Sequence, residues 1–65
     1  MKREDEIAMV RRHVQQGARH VARQRQIVDA LREAGSETVV ADALLAQYEA
    51  ALGAHQAHLR RLQGR

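Results

Sequence analysis

One break governs what this chain can fold into. Between Glu33 and Thr38 it reads EAGSET, and no proline occurs anywhere in its 65 residues. Gly35 supplies the left-handed backbone conformation that commonly ends a helix. Ser36 or Thr38 is placed to cap the next one, a side-chain oxygen accepting from the unpaired amides of its first turn. Both flanks are helix-length. The sequence therefore predicts a single domain over residues 1–65, with a helix at about 4–34, a turn at 35–36 and a second helix at about 37–63. At 1.5 Å per residue each helix is roughly 40 Å long, and so short a turn sets them antiparallel.

The apolar residues carry the pattern through both flanks. Ile7, Val10, Val14, Gly17, Val21, Gln24, Val28 and Leu31 recur at alternating spacings of three and four, as do Ala41, Leu45, Tyr48, Leu52, His55, Leu59 and Leu62. These are heptad seams, and they predict an all-α, coiled-coil-like hairpin. Folding the chain at Ser36 sets Val10 against Leu62, Val14 against Leu59, Val21 against Leu52 and Val28 against Leu45. It also sets Gln24 against Tyr48, as amide and phenol partners in a hydrogen bond, and Gly17 against His55, the glycine leaving room for an imidazole. On one flank Arg25 then faces Glu49 and Arg32 faces Asp42, opposite in sign. Such exposed pairs contribute about 0.2–1 kcal/mol each, enough together to favour one register. On the other flank Ile27 faces Leu44, His20 faces Ala51 and His13 faces His58, with Ala34 near the turn.

That second flank is wider and more apolar than an isolated hairpin requires. A chain of this length buries only roughly 60% of its unfolded surface, so small proteins add disulfides, metals or association. Cysteine is absent, which excludes the first device and gives no sign of an oxidising compartment. We expect a homodimer in which two hairpins make a four-helix bundle, with Ile27, Ala34, Leu44, Ala51 and His20 at the interface.

Three stretches carry candidate chemistry. LGAHQAHLRRL places His55 and His58 three apart on one helical face. With His13 they form a conceivable three-ligand set for a divalent transition metal such as zinc. Interface packing is the plainer expectation, under which the chain has no cofactor. A phosphorelay role is disfavoured, because no acid adjoins any of the four histidines. Arg12, Arg19 and Arg23 share the outer face of the first helix, within a segment (7–28) that has five arginines and no acid. That stripe could meet an anionic partner. A solvated face is preferred: net charge is only +3, Tyr48 is the only aromatic available for stacking, and no phosphate-binding loop is present. Nucleic acid is accordingly a disfavoured partner.

The stretches VARQRQIV and LGAHQAHLRRL, within a pattern spanning about residues 12–62, resemble a set of very short, uncharacterised bacterial helical-hairpin proteins. They share an arginine- and histidine-bearing first helix, a glycine-centred turn and a closing His-Xaa-Xaa-His-Leu. The resemblance implies a freestanding small protein and no catalytic role. The residues agree, since two helices enclose no pocket and offer no nucleophile–base pair. No segment reads as a secretory signal or a membrane span, so a cytoplasmic protein without membrane contact is expected. The expected function is a non-enzymatic, structural or regulatory interaction module that self-associates and leaves room for a further protein partner.

Overall fold

The computed structural model describes residues 3–64; Met1, Lys2 and Arg65, the ends of the expected domain, lie outside the described residues. Two helices, α1 (Arg3–Glu33) and α2 (Val39–Gln63), form an antiparallel hairpin measuring 49 × 16 × 13 Å. There is no strand among the described residues, and no described helix is long and apolar enough to cross a membrane. Glu4, Asp5 and Glu6 open α1 and Arg32 closes it; Asp42 opens α2 and Arg60 and Arg61 close it. Both helices thus place acid at the positive end of the helix dipole and base at the negative end.

The turn is a Schellman motif. Gly35 has φ of 73°, its N–H donates to the Arg32 carbonyl at 3.1 Å, and the Ser36 N–H donates to the Leu31 carbonyl at 2.9 Å. These bonds satisfy carbonyls that the end of α1 would otherwise leave open. The expected cap works differently. Thr38 occupies the N-cap of α2, but its hydroxyl makes no capping bond to the backbone. It donates instead to the Asp42 carboxylate at 2.8 Å, which also receives the Arg32 guanidinium at 3.4 Å. Asp42 therefore ties the last turn of α1, the turn and the first turn of α2 together.

Packing is one-sided. The buried residues are Val10, Val21, Gln24 and Val28, all on α1, and α2 has none. The α2 seam residues Leu45, Leu52, Leu59 and Leu62 stay half-buried. Small side chains on α1 lie beneath large ones on α2, and in a two-helix layer nothing covers the outer sides of the larger residues. At Gly17 the helices approach closely: a Cβ added there would lie 3.2 Å from Leu52 Cδ1.

The contact at Gly17 also fixes the register, which differs from the expected one. Leu52 sits on Gly17 rather than on Val21, four residues and about one helical turn nearer the open end. Ser36, Glu37 and Thr38 are non-helical. Such residues advance up to ~3.3 Å each against 1.5 Å in a helix, carrying α2 down along α1 by as much as about 5 Å. The expected Gln24–Tyr48 bond is consequently absent: the Gln24 amide donates to the Ala41 carbonyl at 3.0 Å. His55 does not fill the space above Gly17, which belongs to Leu52. Both ion pairs read from the charge pattern are present, Arg25–Glu49 at 3.0 Å and Arg32–Asp42 at 3.4 Å, because long arginine side chains span the offset.

The two mid-helix glycines should respond oppositely to substitution. Gly53 faces open space, so Gly53→Ala gains helix propensity alone and should stabilise by about 1 kcal/mol. Gly17→Val places branched bulk against Leu52 and should destabilise by about 1–3 kcal/mol. Urea unfolding followed by circular dichroism measures both; equal shifts would remove the close contact. Gly35→Ala forces a side chain into left-handed backbone and should cost about 1–2 kcal/mol in the same assay.

Candidate functional site

The heptad that builds the seam also builds a stripe beside it. Every seventh residue of α1 from Glu6 (Glu6, His13, His20, Ile27) falls on one flank, because seven residues make almost two turns. The first three each meet a residue of α2 on the same side, so the flank consists of layers toward the open end. At the open end the His58 Nε2 stands 3.6 Å from the Glu6 carboxylate. In the next layer the His13 and His55 rings have centroids 5.1 Å apart and are tilted by 48°. The third layer stacks His20 on Tyr48, with centroids at 5.2 Å and planes within 11°. Nearest the turn, Ile27 and Leu44 remain 39% and 38% exposed.

His13, Gln16, Gly17, His20, Tyr48, Ala51 and His55 line a groove of about 310 Å³ across the middle layers. Gly17 adds a stretch of bare backbone to that lining. No lining residue is an acid, a lysine or an arginine. The opposite flank, by contrast, carries the Arg25–Glu49 and Arg32–Asp42 pairs. One flank is closed by ion pairs; the other holds an open groove without charged lining, with Glu6 as its acid at the open end.

The expected interface residues all belong to the open flank or its end. Ile27, Leu44, Ala51 and His20 are exposed along it, and Ala34 is exposed in the turn just past α1. Two of the expected pairings are replaced: His20 stacks on Tyr48 rather than facing Ala51, and His13 meets His55 rather than His58. Of the candidate ligands His13, His55 and His58, the fold thus brings the first two together and turns the third toward Glu6. Among the described residues no group of three histidines or acids is placed to hold a metal ion.

Two contributors were not picked out from the sequence. Tyr48 reads as a seam residue, yet it forms the wall of the groove. Val40 is 78% exposed and lies one turn before Leu44 on the same helix face; that four-residue spacing is the signal that could have found it. Arg12, Arg19 and Arg23 are exposed, and none takes part in a side-chain hydrogen bond or ion pair among the described residues. They form a charged outer face, remote in chemistry from the groove without charged lining. The chain matches no family model, no curated protein and no solved structure.

Proposed function

We propose that this protein is a non-enzymatic, self-associating helical hairpin, a structural or regulatory interaction module whose working form is a homodimeric four-helix bundle. The observation that supports it is the open flank. Ile27 and Leu44 are each more than a third exposed, and they continue into an uncharged groove, although α2 has no buried residue anywhere along its 25 residues. Apolar surface left this way contributes nothing to an isolated hairpin and about 25 cal/mol per Å² when a second layer covers it.

A second copy suits the flank on chemical grounds. The chain carries net charge +3, so like copies repel through most of their surface. The groove flank, which carries no arginine in its lining, is where two copies approach without setting arginine against arginine. Exposed Arg12, Arg19 and Arg23 remain outside such a bundle, free for an acidic protein or a phosphate backbone.

Light scattering after size exclusion should give twice the 7.3 kDa chain mass. Ile27→Glu should weaken association by about 100-fold or more, because each dimer would bury two unpaired carboxylates. The helical circular dichroism signal should be largely kept. A monomeric wild-type chain, or an unchanged mass for Ile27→Glu, would remove the proposal.

A further inference from the structure

We propose that His13 and His55 are half of a transition-metal site, completed by the same two residues of a second copy. The resulting four-imidazole site would take zinc. The inference rests on the dimer reading above, and it adds to that reading a ligand and an orientation.

Three observations carry it. The first is spacing. A zinc–imidazole bond is about 2.0–2.1 Å and the ring centroid lies about 1.1 Å beyond the bonded nitrogen, so two imidazoles on one tetrahedral ion have centroids about 5 Å apart. The His13 and His55 centroids are 5.1 Å apart in the bare hairpin. The pair is thus spaced for a shared ion before any ion arrives, and the 48° tilt keeps the rings out of parallel stacking.

The second is incompleteness. Among the described residues no third histidine or acid is placed to complete a site with them. His58, the nearest candidate in sequence, is directed to Glu6. One hairpin supplies two donors and a structural zinc takes four. A twofold axis through the site supplies the other two without any new residue type.

The third is the position of the pair on the open flank. His13 and His55 line the groove without charged lining, and His13 is two heptads along α1 from the exposed Ile27. If two hairpins packed with turns at opposite ends, each histidine pair would lie toward the partner's apolar end, losing water without gaining a polar partner. With turns at the same end, the exposed Ile27 and Leu44 of each copy lie toward those of the other, the His13–His55 layers meet each other, and the Glu6–His58 layers meet at the open end. That orientation assembles four imidazoles around one point, and a cation between them replaces contact among four polar rings with four bonds.

The test is a zinc titration of the untagged full-length chain after chelator treatment, read by calorimetry and native mass spectrometry. One zinc per two chains is expected. His13→Ala with His55→Ala should weaken zinc binding by more than about 100-fold, beyond what is lost when only the supporting partners of metal ligands are removed. His58→Ala should leave it unchanged. Circular dichroism of each variant shows whether the helices persist, and His55→Gln, which keeps polar bulk, provides a second variant if the alanine pair unfolds. A metal-free dimer that takes up no zinc, or zinc uptake that survives loss of His13 and His55, would overturn the site and leave the dimer standing. One zinc per single chain would overturn it as well. A chain that is monomeric both with and without zinc would overturn the dimer reading and the site together.

Discussion

A layer of two helices has one seam, and the shape of every side chain in this hairpin answers to that limit. Burial in the seam requires a residue to be covered from both sides, which the facing helix achieves here for three small valines of α1 and for Gln24, whose amide bonds across to α2. Val10, Val21 and Val28 meet the condition. The leucines of α2 supply the cover and are themselves left half-open. Adding larger residues to α1 would not repair this, because bulk on both sides separates the helices and lowers packing density. Only a further layer covers α2, so the incompleteness of the core follows from helix number rather than from poor side-chain choice.

Within that limit the turn decides which layers form. The Schellman bonds fix where α1 ends, and Asp42, held by both Thr38 and Arg32, fixes where α2 begins. Gln24 adds a constraint from inside the seam. The residue is 5% exposed and its amide is bonded to the Ala41 carbonyl, so sliding α2 by a turn would strand a buried donor, which costs about 1–3 kcal/mol. A single polar residue in an otherwise apolar seam is a known device for specifying alignment in helical coils. Here it holds the register in which His13 meets His55 and His20 meets Tyr48. The flank chemistry is therefore set largely at the turn, more than 20 Å away along the helix by rise per residue.

Helix count, antiparallel arrangement, the glycine stop and both ion pairs were legible in the residues, because each depends on local chemistry or on long side chains that tolerate an offset. Arg25 reaches Glu49 across a register displaced by a turn, so agreement of charges cannot distinguish the two alignments. The histidine layers were legible only as a flank. Which imidazole meets which depends on a displacement of about 5 Å, generated by three non-helical residues whose path no periodicity encodes. Gln24 shows the same limit from another side: its partner is a backbone carbonyl, and pattern reading compares side chains with side chains.

The two flanks of the seam also differ in a way that constrains association. Exposed ion pairs such as Arg25–Glu49 contribute little to stability, yet burying the flank's two pairs between two copies would require stripping water from eight charged groups. That cost makes the ion-paired flank a poor surface for a second layer. The outer face of α1 is excluded for a different reason, since Arg12, Arg19 and Arg23 would meet their own like charges. What remains includes the flank of His13, His20, Ile27, Leu44 and Ala51, whose middle layers carry neither an ion pair nor an arginine. Charge placement thus separates the ion-paired flank and the arginine face from the flank that holds the exposed Ile27 and Leu44, and the His13–His55 and His20–Tyr48 layers lie on that same flank.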